Sequence, residues 1–329
     1  MNMLVKGKLS SDWLEQKIDN GKLKHIESSF RNWITDDGRP GPSGNGGFKA
    51  EPDRYHLYVS PACPWAHRIV IMRKIKNLES IISISEVTPE MLENGWQFAS
   101  SGKHIDHLYR SNYMHEIYTL ADPDYSGQIT VPVLWDKTHE TIVNNESSEI
   151  IRMLNTAFNQ YTDVNIDYYP ESNRLQIDKI NDIVFKNLNS GVYRCGFATT
   201  QEAYEEAVYP LFETLDLLEN KLSSSRYLVG NAITEADWRL FTTLIRFDAV
   251  YTTLFKCNLR SLSSYHNLSN YLRDLYQQPG INDTVDMDYI KRHYFYSLTK
   301  LNPSQVIPVG PEVNYELPHN RAQKFRNVH

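Results

Sequence analysis

Apolar positions gather in two short runs within the second fifty residues. Tyr55-His56-Leu57-Tyr58-Val59, rich in aromatic and β-branched residues, predicts a strand, and Ile81 to Val87 predicts another. Ser60-Pro61-Ala62 turns the chain between them, and a helix is expected from about Pro64 to Lys76. Proline suits its first position, where the missing N–H costs nothing, and Arg73, Lys74 and Lys76 suit the negative end of its dipole. Together these make one βαβ unit.

Residues 88 to 127 are polar and lack long apolar runs, so an irregular insertion is expected there. The runs 129–135 and 141–143 predict two further strands, close enough to pair as a hairpin. Pro132 interrupts the first of them; lacking a ladder donor, it must sit at an edge, at a bulge or behind a cis bond. Residues 146–154 open polar and acidic and continue with the apolar spacing of a helix.

After Pro170 the pattern is helical throughout, with apolar residues three and four apart in 173–190, 201–223, 234–246 and 264–277. Thr234-Glu235-Ala236-Asp237 is a capping box, with Ile233 and Trp238 at the positions of a hydrophobic staple. The predicted fold class is therefore α/β plus all-α. Expected divisions are an N-terminal extension (1–50), an α/β domain (51–160, with the insertion at 88–127), an α-helical domain (170–300) and a tail (301–329). Gly38 to Gly47, crowded with glycine and proline, reads as a flexible loop. A linker and a mobile flap both fit it.

Composition narrows the function. Of 329 residues, 41% are hydrophobic and 22% charged, a globular balance. No apolar run approaches the roughly 20 residues that span a bilayer, and the first residues lack the apolar core of a secretory signal. A cytoplasmic protein with no membrane partner is expected. The net charge of -6 without a basic block argues against nucleic acid. Three widely spaced cysteines, Cys63, Cys195 and Cys257, argue against a disulfide framework. His104 and His107 have no ligand cluster beside them, so no metal is expected, and no phosphate-cradling glycine motif follows a strand.

Cys63 stands between a strand and a helix opened by Pro64. A thiol there faces unpaired helical N–H groups and the positive end of the dipole, which stabilise a thiolate. A buried structural cysteine is the plainer alternative. Because Cys63-Pro64-Trp65-Ala66 lacks a second cysteine, a mixed disulfide formed on Cys63 would need an external thiol to resolve it.

The Cys63-Pro64-Trp65-Ala66-His67-Arg68 motif, Val131-Pro132, Glu146-Ser147 and the capped helix at Thr234 together resemble a glutathione transferase. The resemblance narrows to the Xi class, the glutathionyl-hydroquinone reductases, through Phe30-Arg31-Asn32-Trp33, Leu92-Glu93-Asn94-Gly95-Trp96, Asn144-Asn145-Glu146-Ser147 and Gly191-Val192-Tyr193. It covers the chain from about residue 30 to the tail. It implies a thioredoxin-like N-terminal domain, an α-helical C-terminal domain and glutathione as co-substrate.

By the same resemblance, Val131 would pair with the cysteinyl part of glutathione like an added strand. Glu146 and Ser147 would hold its γ-glutamyl end. Trp96 would close over the peptide, and Gln128, Ile129 and Thr130 would complete the glutathione site. Tyr193, Tyr251 and Tyr294 match tyrosines around the substrate pocket, where a phenol hydrogen-bonds a thiolate or hands on a proton. At position 128 the family pattern often has arginine; Gln128 supplies no charge, so weaker glutathione binding is expected.

The implied activity is reductive deglutathionylation of glutathionyl-hydroquinones, and a homodimer is implied as well. An omega-like transferase reducing small disulfides or dehydroascorbate is the near alternative. A non-catalytic module of the same fold, acting only through interactions, is the distant one.

Overall fold

The computed structural model describes residues 3–10, 18–24 and 26–326. Residues 1, 2, 11–17, 25 and 327–329, which fall in the expected N-terminal extension and C-terminal tail, lie outside the described residues. The chain forms two compact units: 26–166 with 3–10 and 286–293, and 167–285 with 18–24 and 294–326.

The first unit is built on a mixed four-stranded sheet. Its strands are β1 (Tyr55–Val59), β2 (Ser83–Glu86), β3 (Val133–Asp136) and β4 (Thr141–Asn144), in the order β4-β3-β1-β2. β1 and β2 run parallel, Leu57 opposite Ile84, joined by helix α1 (Pro64–Ile75) as the βαβ pattern predicts. β3 pairs antiparallel with β1 on one side and with β4 on the other, the expected hairpin. Every residue of β1, which has a strand on both sides, is buried. α1 packs on α3 (Ser147–Thr156), whose buried residues include Ile150, Ile151 and Leu154 at helical spacing.

Three expectations need correction. The strand predicted over 129–135 begins only at Val133, because Pro132 has no N–H for the ladder; the Val131–Pro132 peptide is cis. Residues 88–127 are not uniformly irregular. They contain a hairpin of Met91–Leu92 with Gly95–Trp96, and helix α2 (Met114–Ala121), whose buried Met114, Ile117 and Tyr118 repeat at helical spacing over only two turns.

The third correction concerns the glycine-rich segment, which is a folded loop rather than a linker. The Gly47 N–H donates to the Gly38 carbonyl at 2.8 Å, Asn45 N–H to Asn32 Oδ1 at 2.8 Å, and Trp33 Nε1 to Ser43 Oγ at 2.7 Å. A Cβ on Gly41 would lie 2.4 Å from the Trp33 side chain. The segment before it covers the edge strand β4, with Asn32 N–H donating to the Val143 carbonyl at 2.9 Å.

The second unit is helical: α4 (Arg174–Val184), α5 (Gly191–Gly196), α6 (Gln201–Ser224), α7 (Glu235–Arg246) and α8 (His266–Tyr276). α7 is its core, with all its residues buried. The predicted capping box is in place: Asp237 accepts from the Thr234 N–H at 2.8 Å and from the Thr234 hydroxyl at 3.0 Å. The same carboxyl group accepts from the Leu228 N–H and the Tyr271 hydroxyl, so a buried, fully bonded side chain fastens the helix start to its surroundings. π-helical turns at Phe185–Asn189 and Phe247–Tyr251 precede α5 and follow α7. Helix α9 (Met287–Ser297) contributes its first residues to the first unit and Tyr294 onward to the second. Within the second unit the tail is pinned by buried Arg321, which donates to the carbonyls of Leu222, Ser225 and Arg226. Among the described residues no helix is long and apolar enough to cross a membrane.

Candidate active site

In the first unit Cys63 caps the N-terminus of α1, with extended backbone (φ −75°, ψ 118°) and Pro64 as the first helical residue. Its sulfur therefore lies where helical N–H groups have no intrahelical acceptor. Sγ donates to the Val131 carbonyl at 3.3 Å and the residue exposes 9% of its surface. The turn behind it is braced. Ser60 Oγ accepts from the Ala62 N–H at 3.3 Å and lies 3.4 Å from the Tyr289 hydroxyl, which itself donates to the Val87 carbonyl at 2.6 Å.

Glu146 and Ser147 open α3. The Glu146 carboxylate accepts from the Ser148 N–H at 3.0 Å, the Ser148 hydroxyl at 2.9 Å and the Ser28 hydroxyl at 3.2 Å. Burial pushes its pKa up, but the Ser148 bonds, the nearby Arg68 charge and Ser28 outweigh that and hold it below the usual carboxylate value. Buried Arg68 comes from α1, five residues after Cys63. It donates to Ser147 Oγ at 3.4 Å and stacks over the Trp65 ring at 4.5 Å. One guanidinium thus ties the helix carrying the cysteine to the helix that Glu146 and Ser147 open.

The segment 128–131 reaches the sulfur through Val131. Gln128 pairs with Met3, and its carbonyl accepts from the Tyr125 hydroxyl at 3.2 Å. Ile129 is buried. Thr130 is fastened by Tyr118, whose hydroxyl accepts from the Thr130 N–H at 3.3 Å and donates to the Thr130 carbonyl at 3.0 Å. Trp96 stacks on His293, centroids 4.8 Å apart and planes 12° from parallel, and its buried indole Nε1 has no hydrogen-bond partner among the described residues. A buried donor left in that state suits a bound acceptor.

The three tyrosines meet one another in the second unit. The Tyr294 hydroxyl lies 2.6 Å from that of Tyr193 and 3.3 Å from that of Tyr251. Tyr251 and Tyr294 are buried and Tyr193 half-buried; burial keeps the Tyr294 phenol protonated, its pKa well above the ordinary value. Cys195 and Cys257 are also buried here. Burial first, then a hydrogen bond to Cys195, pushes the Cys257 thiol well up, the setting of an inert cysteine.

Several supporting residues went unassigned at the level of sequence. Arg68 stood inside the cysteine motif, and its spacing from Cys63 places it further along the same helix. Ser148 and Ser28 had no signal of their own. Arg31 and Asn144 had only their motifs, and the structure shows both holding Glu149: Arg31 Nε donates at 2.7 Å and Asn144 Nδ2 at 2.7 Å. No group of three or more His, Cys, Asp or Glu side chains among the described residues is placed to hold a metal ion.

Family models for the N-terminal and C-terminal domains of glutathione S-transferase match residues 62–157 and 201–274. The chain is 53% identical to glutathionyl-hydroquinone reductase YqjG of Escherichia coli K12 over 99% of this chain and 100% of that one. It is 47% identical to glutathionyl-hydroquinone reductase PcpF of Sphingobium chlorophenolicum, over 94% and 96% respectively. The glutathione-bound structure of Escherichia coli YqjG superposes with a TM-score of 0.90, covering 98% of this chain and 100% of that one at 51% identity. The Xi-class enzyme of Natrialba magadii superposes with a TM-score of 0.89, covering 98% and 97% at 45% identity. With a thioredoxin-like domain, a helical domain and these relatives, the chain belongs to the glutathione transferase family and, within it, to the Xi class of glutathionyl-hydroquinone reductases.

Proposed function

We propose that this protein reduces glutathionyl-hydroquinones to hydroquinones at the expense of glutathione, with Cys63 as nucleophile. The Cys63 thiolate attacks the sulfur of the substrate's glutathionyl group. A sulfur–sulfur bond forms, the sulfur–carbon bond breaks, and the ring carbon takes a proton as the hydroquinone leaves. A second glutathione thiolate then attacks the mixed disulfide, releasing oxidised glutathione and restoring Cys63. Electrons balance: two glutathionyl sulfurs are oxidised to one disulfide and the ring carbon is reduced. The chemistry calls on neither metal nor nucleotide.

The observation that carries this reading is Cys63 at the N-terminus of α1, 3.3 Å from the Val131 carbonyl, on the helix whose Arg68 reaches Ser147. In this scheme Val131 pairs with the cysteinyl part of glutathione, flanked by Gln128, Ile129 and Thr130. Ser147 and the helix amides take the γ-glutamyl carboxylate, Glu146 takes the ammonium, and Trp96 covers the peptide with its indole N–H donating to it. Tyr193, Tyr251 and Tyr294 serve the hydroquinone. Residues 51–160 then form the glutathione domain and 170–300 the substrate domain. The protein works as a cytoplasmic homodimer in this proposal, and a monomeric mass by light scattering at micromolar concentration would contradict that part. The activity itself is tested by turnover of a glutathionyl-hydroquinone against a simple disulfide: the proposal expects the hydroquinone conjugate to be preferred, and an omega-like enzyme would prefer the disulfide.

A further inference from the structure

A polar cleft of about 660 Å³ lies in the second unit, between α8 and tail residues 318–323. Its walls include His266, Ser269, Asn270, Arg273, His319 and Gln323, and no acidic residue lines it among the described residues.

The one guanidinium among the described wall residues is that of Arg273, and the carboxylates of Asp274 and Glu219 stand behind the walls rather than in them. Arg226 grips Asp274 through two bonds of 2.9 Å, and His319 Nε2 lies 3.7 Å from the same carboxylate. Burial, then the guanidiniums of Arg226, Arg273 and Arg321, outweigh Asp274 and hold the His319 pKa below its usual value. The hydrogen bonds of Arg321 run to backbone carbonyls, which carry no countercharge of their own. Arg273 is held in place from one side: Nη2 donates to Asn270 Oδ1 at 3.0 Å, and Asn270 Nδ2 donates to the His266 carbonyl at 2.7 Å. Its Nε, and Nδ1 of His319, are shielded from solvent without a hydrogen-bond partner among the described residues.

We propose that this cleft binds the phosphate ester of a small hydrophilic molecule, with Arg273 gripping the phosphate. A fixed guanidinium in a cleft that no acid lines favours a doubly charged oxyanion over a neutral ligand. The space exceeds what a bare phosphate fills, and hydroxyl, imidazole and amide side chains line the remainder, which suits a polyhydroxylated carrier rather than an apolar one.

Titration calorimetry on the full chain at constant ionic strength tests this, with glucose 6-phosphate, inorganic phosphate and glucose as probes. Glucose 6-phosphate should bind one per chain and more tightly than inorganic phosphate, and glucose should give no heat. Arg273→Gln should weaken glucose 6-phosphate binding at least about tenfold, and Ser269→Ala should weaken it less while leaving phosphate unaffected. Circular dichroism melting of both variants shows that they are folded; if Arg273→Gln is not, Ser269→Ala and the order of the three probes decide alone. No saturable heat from glucose 6-phosphate up to about 10 mM overturns the proposal. So does equal binding by folded Arg273→Gln, and so does inorganic phosphate binding as tightly as the ester.

Discussion

Replacing Tyr193 by phenylalanine removes one hydroxyl from a chain of three and leaves the packing in place. The Tyr193 ring keeps its contacts with Phe255, centroids 5.3 Å apart, and with Tyr251 at 6.1 Å. Of the three hydroxyls, that of Tyr193 belongs to the half-buried residue and makes the shortest bond, 2.6 Å to the hydroxyl of buried Tyr294. Tyr251 stands at the other end, fully buried and 3.3 Å from Tyr294. Under the proposed function, the Tyr193 phenol is the end of the chain that meets a substrate oxygen, with Tyr294 polarising it from behind. A hydrogen bond to a charged group is worth roughly 1.5 to 3 kcal/mol, and each 1.4 kcal/mol is about tenfold in rate. Tyr193→Phe should therefore slow hydroquinone release by about ten- to a hundredfold, and Tyr251→Phe by less. Reduction of a small disulfide develops its charge on sulfur alone and should be nearly unaffected. Steady-state rates on both substrates, with melting curves to show intact folding, measure this. Equal losses on the two substrates would refute the assignment of the tyrosines to the hydroquinone.

Gln128→Arg should lower KM for glutathione and leave kcat nearly unchanged, because a charge-assisted contact to the peptide is present equally in ground and transition states; an unchanged KM would mean that this side chain does not face glutathione. Cys195→Ala and Cys257→Ala should each retain activity, since both thiols are buried together in the second unit; loss of activity in either folded variant would contradict this. His56 bridges β1 and β2, with Nδ1 2.7 Å from Ser83 Oγ and Nε2 2.8 Å from Ser85 Oγ, and burial lowers its pKa to about 3. The unfolded chain binds that proton from about pH 6.5 downward and the folded chain does not, so the stabilisation is complete above pH 6.5 and is lost as pH falls toward 3. Urea titrations should show roughly 2 kcal/mol lost between pH 6.5 and 5, and His56→Gln should flatten that slope.

The parts of the fold that sequence discloses are those where one local signal decides. The βαβ unit follows from Tyr55–Val59 and the Pro64 helix start, and α7 from its capping box at Thr234 and Asp237. The parts it conceals depend on distant partners. α2 presents only three buried residues amid polar ones, too short a repeat to stand out from the insertion. The glycine-rich loop closes on Trp33 and Asn32, which precede it, and its glycines permit that approach without announcing the partner. In the site, the motif around Cys63 and the Glu146-Ser147 pair were legible because each sits at a helix start. Arg68, Tyr118 and Ser28 act on residues of other segments, and nothing in their local sequence reports a partner 79, 12 or 118 residues away.

The central claim is that Cys63 carries glutathione between the two half-reactions. Its most direct test is a single turnover of the full chain with excess glutathionyl-hydroquinone and no free glutathione, quenched in acid and mapped by peptide mass spectrometry. The account predicts hydroquinone released in equal amount to the enzyme and one glutathione in disulfide linkage on the peptide containing Cys63, with neither product formed by Cys63→Ala. An adduct on Cys195 or Cys257 instead, or hydroquinone released undiminished by Cys63→Ala, would contradict it.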